Sequence, residues 1–164
     1  MIKLRLFLLS SLLCLTFNSV KAESLVILPF VKGSFAEIKN QHQGKPFVVV
    51  FWSESCSYCM IELAMFAKYQ KQYADVAFIT VATDAFLEDE VVQSVLKQSQ
   101  LELKQTWVFA EQFPEAIYAD VNKRWRGELP VTHFFDSNHQ ETRHMGIIKE
   151  DELVEWLSAQ SIQK

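Results

Sequence analysis

Two cysteines three residues apart are the part of this sequence with the clearest chemical potential. Cys56 and Cys59 lie in the stretch FWSESCSYCMIELAMF, directly after an apolar run that ends at Trp52. Apolar residues recurring at i, i+3, i+4 and i+7 predict a helix over residues 57–72. Cys56 would therefore lie where a strand and a turn lead into a helix. Cys59 would lie one helical turn further along the same face.

The start of a helix can activate a thiol. Its first backbone N–H groups lack partners and the helix dipole places partial positive charge there, and both effects stabilise a thiolate. Cys56 is then the attacking sulfur. Cys59 can attack a mixed disulfide formed at Cys56 and release the partner. The spacing predicts thiol–disulfide exchange, with Cys56 attacking and Cys59 resolving.

Other uses of the two cysteines remain open. A structural disulfide would close a very small loop and restrict the unfolded chain little. A zinc site would need two more good ligands, but the sequence has no second CxxC and only scattered histidines. Copper bound by the thiols together with Met60 or Met65 is a further alternative.

Two more residues are candidates for the same site. Glu62 follows Cys59 by three positions, so the two share a helix face. A carboxyl in a partly apolar site has a raised pKa and can accept the proton that Cys59 must lose, although Glu62 can also be an ordinary solvated glutamate. Pro130 stands at the entry of a predicted strand, where a cis Leu129–Pro130 bond would mark a tight bend.

The elements that must position these residues form one α/β domain. Continuous apolar runs at 47–52 and 76–81 indicate strands covered on both faces. The acidic stretch that begins at Asp84 predicts the start of a helix that runs to about residue 100. From the first of these runs onward, the predicted order is βαβαβαββα. This order predicts a parallel core sheet flanked by helices, with antiparallel strands added by the final hairpin. Ser34 and Glu37 fit a capping box for a short helix that precedes it.

The first 22 residues have the layout of a secretory signal peptide. Lys3 and Arg5 precede an apolar run of roughly 12 residues, and small and polar residues follow up to Ala22. We therefore predict a signal peptide at 1–22 and one domain at 23–164. An uncleaved membrane anchor and a buried N-terminal helix are the alternatives for this segment. Cleavage would change the net charge from −4 to −7, because thirteen basic residues would face twenty acidic ones. Such a surface is a poor partner for nucleic acid. Cys14 would be lost, which leaves Cys56 and Cys59 in a compartment where disulfides persist.

Taken together, these motifs resemble the thioredoxin superfamily. The pattern Phe51-Trp52-x-x-x-Cys56-x-x-Cys59-x-x-Glu62, followed by Leu129-Pro130, is most similar to the TlpA/ResA/DsbE group of exported bacterial thiol–disulfide reductases. The resemblance spans residues 30–158. It implies a thioredoxin-like three-layer α/β/α sandwich with a central mixed sheet and the CxxC at a helix N-terminus.

The resemblance also implies roles for individual residues. Cys56 would be the nucleophile, Cys59 the resolving thiol and Pro130 a cis-proline packed against the disulfide. Leu129 would offer backbone contacts to a bound partner, and Glu62 would match the acidic residue that follows the CxxC in this group. Further candidates for substrate contact flank the cysteines, namely Trp52, Ser57 and Tyr58. Val50 stands where cytosolic thioredoxins carry a buried Asp, so a proton relay would use Glu62.

The resemblance implies a periplasmic oxidoreductase that reduces disulfides in protein substrates, as in cytochrome c maturation. Electrons would come from a membrane-bound donor, and no cofactor beyond the Cys56–Cys59 disulfide is expected. The dipeptide Ser57-Tyr58 is neither Gly-Pro nor Pro-His, so a disulfide-forming oxidant remains an alternative. Two others are a copper- or metal-handling binding protein on this scaffold and a structural module with an idle CxxC.

Overall fold

The computed structural model describes residues 24–161, which form six strands and five helices. The predicted signal peptide lies outside the described residues. The strands are β1 (Val26–Phe30), β2 (Phe47–Trp52), β3 (Ala77–Ala82), β4 (Gln105–Phe109), β5 (Val131–Phe135) and β6 (Glu141–Met145). The helices are α1 (Ser34–Gln41), α2 (Ser57–Gln70), α3 (Asp89–Gln98), α4 (Glu115–Val121) and α5 (Glu150–Ser161).

All six strands belong to one mixed sheet with the order β1-β4-β3-β2-β5-β6. β1, β4, β3 and β2 run parallel to one another. β5 pairs antiparallel with β2, and β6 pairs antiparallel with β5. The predicted parallel core with an antiparallel hairpin at its end is confirmed. β2 is the strand at which the sheet changes from parallel to antiparallel pairing.

Side chains alternate between two cores, one on each face of the sheet. Val48, Val50 and Trp52 of β2 pack with buried residues of α2, α3 and α5. Phe47 and Phe51 point to the opposite face and pack with residues of α1 and α4. The helices on both faces make a three-layer α/β/α arrangement, as predicted. Because β2 has a strand on each side and helices on each face, all its residues are buried.

The structure differs from the predicted elements at three places. β1 is absent from the predicted order, and it forms an edge of the sheet where Pro29 is tolerated because one side of the strand has no partner. The predicted capping box is wrong: Gly33, at φ 95°, is the N-cap, and the Ser34 hydroxyl accepts from the Val31 N–H at 3.0 Å. α3 begins at Asp89 rather than Asp84, and the residues between them form a loop.

Helices long and apolar enough to cross a bilayer are not found within residues 24–161. The longest helix described, α2, has 14 residues.

The stacked rings of Phe47 and Phe135 join β2 to β5, and their removal tests this packing. Their centroids are 4.4 Å apart and both side chains are buried. Phe135→Ala should lower the free energy of unfolding by about 3–5 kcal/mol, because it removes apolar contact and leaves a cavity. Denaturant unfolding of the oxidised protein measures this. Phe113→Ala is the control, since Phe113 is 71% exposed. Equal effects of the two substitutions would contradict the assignment of Phe135 to the core.

Candidate active site

The two cysteines form a disulfide at the first turn of α2. Cys56 is the N-cap of this helix, and its sulfur accepts a hydrogen bond from the backbone N–H of Cys59 at 3.2 Å. The Cys56–Cys59 S–S distance is 2.07 Å. Cys56 is partly exposed, whereas Cys59 is 0% exposed. An external thiol or disulfide can therefore reach Cys56 but not Cys59. The N–H that contacts the Cys56 sulfur is placed to stabilise a thiolate after reduction.

Asp84 holds the turn that carries the chain from β2 to Cys56. One carboxylate oxygen accepts from the Ser53 hydroxyl and the other from the backbone N–H of Glu54, each at 2.8 Å. The backbone N–H of Cys56 also donates to the Ser53 carbonyl at 3.1 Å. The turn predicted between the strand and Cys56 is confirmed. The part played by Asp84 could not be predicted from the sequence, because its partners lie about thirty positions earlier in the chain.

Glu62 is a buried residue of the α2-side core, not a solvated glutamate. It is 0% exposed and lies one helical turn after Cys59. The hydroxyl of Thr132 on β5 donates to Glu62 Oε1 at 3.0 Å. Glu62 Oε2 has no hydrogen-bond partner among the described residues. A carboxyl in this position can hold a proton one helical turn from Cys59.

The pKa of Glu62 is raised from 4.5 to about 7. Burial is the main cause, because it disfavours the charged carboxylate. The hydroxyl of Thr132 and the backbone of Ile148 act in the opposite direction, since hydrogen bonds to the carboxylate favour its charged form. With this pKa, Glu62 can both accept and donate a proton near neutral pH.

The Leu129–Pro130 bond is cis and lies at the same end of the sheet as the cysteines. Val131 pairs with Phe51, so Pro130 precedes β5 beside the end of β2, where the chain turns towards Cys56. Pro130 is buried and its carbonyl accepts from the Gly146 N–H at 2.8 Å. Leu129 is half-buried and packs against both cores.

The other predicted contact residues divide into exposed and buried ones. Ser57 is exposed and Tyr58 is 62% exposed, so both can meet a partner that approaches Cys56. Trp52 is 0% exposed and forms part of the α2-side core, so it cannot touch a partner directly. Its side chain lies on the face of the sheet that the α2-side core covers, and the predicted substrate contact is corrected to a packing role.

No metal centre is evident in the part of the chain that the structure describes. Clusters of three or more His, Cys, Asp or Glu side chains placed to hold a metal ion are not found in residues 24–161. Met60 and Met65, the residues considered for copper, are half-buried and pack against the α2-side core.

Comparisons with known proteins identify the fold. No protein-family model matches the chain, and no curated protein sequence matches it either. Among solved structures, it is similar to a secreted Mycobacterium tuberculosis disulfide oxidoreductase homologous to E. coli DsbE. The identity is 24% and the TM-score 0.59, over 73% of this chain and 85% of that one.

Two further structures agree with this likeness. M. tuberculosis DsbF is 20% identical with a TM-score of 0.57, over 74% of this chain and 84% of that one. A thioredoxin-family thiol:disulfide interchange protein from Chlorobium tepidum is 17% identical with a TM-score of 0.58, over 74% and 83% of the two chains. The predicted thioredoxin-like fold is confirmed.

The buried carboxyl of Glu62 should make stability depend on pH. A carboxyl whose pKa is higher in the folded state adds stability below the unfolded value of 4.5, and this contribution is lost as the pH rises through about 7. The loss corresponds to about 3 kcal/mol between pH 4 and pH 9. Glu62→Gln removes it, so the unfolding free energy of the variant minus that of the wild type should increase by this amount over that range.

Denaturant unfolding of the oxidised proteins at the two pH values measures this difference without titration of the cysteines. Glu155→Gln, at an exposed position on α5, is the matched control and should differ from the wild type equally at both pH values. A pH-independent difference for Glu62→Gln would contradict the raised pKa.

Proposed function

We propose that this protein is an exported thiol–disulfide oxidoreductase that reduces disulfides in protein substrates. The observation that carries the proposal is the unequal exposure of the two bonded cysteines. Cys56 is accessible at the N-terminus of α2, while Cys59 is buried beneath it. One sulfur can react with a partner and the other is protected from it until a mixed disulfide forms. A purely structural disulfide has no need of this arrangement or of a buried carboxyl one turn away.

The reaction would take place in two exchanges. In the reduced protein, the Cys56 thiolate attacks one sulfur of the substrate disulfide, whose other sulfur leaves as a thiolate and takes up a proton. Glu62 accepts the proton of the Cys59 thiol. The Cys59 thiolate then attacks Cys56 Sγ, and the bond between Cys56 and the substrate breaks. The second substrate sulfur leaves as a thiolate, so the substrate gains two electrons and the protein becomes the Cys56–Cys59 disulfide.

A substrate would be held by the surface around Cys56. The side chains of Ser57 and Tyr58 are exposed beside it, and the backbone of Leu129 enters the site just before the cis bond. Backbone groups at this position suit a partner that binds as an extended segment, because main-chain hydrogen bonds recognise such a segment independently of its sequence.

The location and the electron supply are parts of the same proposal. The signal-peptide pattern at 1–22 supports export to the bacterial periplasm, and similar structures include a secreted disulfide oxidoreductase and an exposed lipoprotein thioredoxin from Streptococcus pneumoniae. A reductant outside the cytoplasm needs a donor, and a membrane-bound partner would supply the electrons. The redox-active disulfide would be the only cofactor. Suitable substrates would be exported proteins whose disulfides must be reduced, as in cytochrome c maturation.

Variants of the two cysteines test the proposed division of roles. Cys56→Ser should abolish disulfide reduction, because the attacking sulfur is lost. Cys59→Ser should accumulate a mixed disulfide at Cys56 with a disulfide-containing peptide, because no second thiol can release it. Mass spectrometry of the non-reduced products measures the adduct, and each variant is the control for the other. Adducts of equal abundance in both variants would contradict the assignment.

The reduction potential of Cys56–Cys59 tests the direction of electron flow. Equilibration of a chain lacking residues 1–22 in dithiothreitol or glutathione buffers, followed by separation of the two forms, gives the value. We expect a potential near that of thioredoxin, about −270 mV, because the protein is proposed to act as a reductant. A value near about −120 mV would instead indicate an oxidant that introduces disulfides.

A further inference from the structure

We propose that Thr132 is a positioning residue for Glu62: its hydroxyl orients the carboxyl and stabilises the charged form, and so determines the pH range in which Cys59 can lose its proton. This inference rests on the proposed function, since it concerns the proton acceptor of the same reaction. Thr132 is not part of the CxxC pattern or of the Leu129-Pro130 pair.

The hydroxyl of buried Thr132 points at the Glu62 carboxyl. Thr132 is the second residue of β5 and is 0% exposed. Its Oγ1 donates to Glu62 Oε1 at 3.0 Å. A β-branched side chain in a buried strand has little freedom about χ1, so the hydroxyl is held in one direction. The carboxyl plane of Glu62 is thereby tied to the sheet, while the helix that carries Glu62 also carries Cys59.

A second buried threonine, Thr80, lies on the same face of the sheet but does not contact Glu62. Thr80 of β3 is 0% exposed, and Val50 separates it from Thr132, because Val50 pairs with both of them. The Thr80 hydroxyl bonds instead to the hydroxyl of Thr106. Thr80 is therefore a matched control with the same residue type and burial on the same sheet face.

Besides Thr132, the backbone of Ile148 also hydrogen-bonds to the Glu62 carboxyl, with a smaller effect. His144 of β6 pairs with Thr132 across the strands, and its ring contacts the Ile147 carbonyl and Glu152. On α2, the titratable neighbours are Cys59 and Cys56. His133, the next residue of β5, belongs to the opposite face and bonds to Glu141. Lys149 and Glu150 follow Ile148 in the chain but are exposed. The hydrogen bond from Thr132 is the largest influence that lowers the pKa of Glu62 against the effect of burial.

Removal of the hydroxyl should shift the acid–base behaviour of the site. Thr132→Val keeps the shape of the side chain but leaves the carboxylate without this donor, so the pKa of Glu62 should rise by about 1. The ionised fraction at pH 7 would fall from about one half to about one tenth. Resolution by Cys59 should then slow about fivefold at pH 7 and return to the wild-type rate near pH 9.

Two measurements follow this shift. The carboxyl-carbon NMR shift of Glu62 against pH in the oxidised protein gives its pKa, and Glu62→Gln identifies the signal. The second measurement follows the resolution of a mixed disulfide between Cys56 and a synthetic cysteine peptide. Its rate from pH 5 to pH 9 gives the pH–rate profile. Thr132→Ser, which keeps the hydroxyl, should have the wild-type Glu62 pKa and the wild-type pH–rate profile. Thr80→Val should leave both unchanged, and Thr132→Ala provides a hydroxyl-free variant that cannot overpack the core.

Several results would overturn the inference. One is a Glu62 pKa that stays unchanged in both Thr132→Val and Thr132→Ala. Another is a shift of the Glu62 pKa in Thr80→Val as large as that in Thr132→Val. The third is a pH–rate profile of Thr132→Ser that matches that of Thr132→Val. In a Glu62→Gln background, Thr132→Val should have no further effect on the pH profile, and an additive effect would also contradict the coupling. Failure of the proposed function is distinct, because the wild type would then resolve no mixed disulfide at any pH.

Discussion

β2 is held between β3 and β5 with helices on both faces, and this burial determines where the reactive groups lie. All six residues of Phe47–Trp52 are buried, and alternate side chains fill two separate cores. A shift of the strand by one residue would move every side chain into the wrong core, so its register is strongly specified. The chain therefore leaves β2 at one place, directly beside the start of β5. Cys56 and Pro130 lie at the same end of the sheet for this reason.

The same burial creates the acid–base properties of the site. A glutamate in a well-packed apolar layer costs stability once it is ionised, and a fold selected for stability alone would place an apolar residue at this position. Here the carboxyl has one hydroxyl donor and an oxygen without a partner. A buried polar group without its full set of hydrogen bonds is typical of a functional site. The hydrogen bond from Thr132 on β5 reduces the loss of stability that ionisation of this carboxyl causes.

Much of the fold could be predicted from the sequence, because its signals are local. The apolar run before the cysteines, the helical periodicity after them and the alternation of strands and helices indicated a mixed sheet between helices. β1 was missed, since a short strand that contains Pro29 at an edge resembles a loop in composition. The beginning of α3 was placed too early, because Asp84 is typical of a helix start but here binds the turn at Ser53.

The candidate site was predictable only where its residues are close in sequence. The spacing of Cys56, Cys59 and Glu62 placed them on one helix face, and the resemblance added the cis Leu129–Pro130 bond. Trp52 shows the limit of this reasoning: an aromatic residue beside a reactive motif suggests contact with a partner, but the side chain faces the core. Burial depends on what packs against a residue, and sequence neighbours do not reveal that.

By itself the sequence determined that Cys56, Cys59 and Glu62 follow one another along one side of a helix, because a helical turn fixes the distance between residues three apart. The tertiary structure alone decided that Cys59 is hidden while Cys56 is accessible, that Asp84 holds the turn, and that Thr132 contacts Glu62. These contacts join residues about thirty to seventy positions apart. They exist because the sheet brings β2, β3 and β5 together, and the pKa of Glu62 follows from that surrounding rather than from its own residue type.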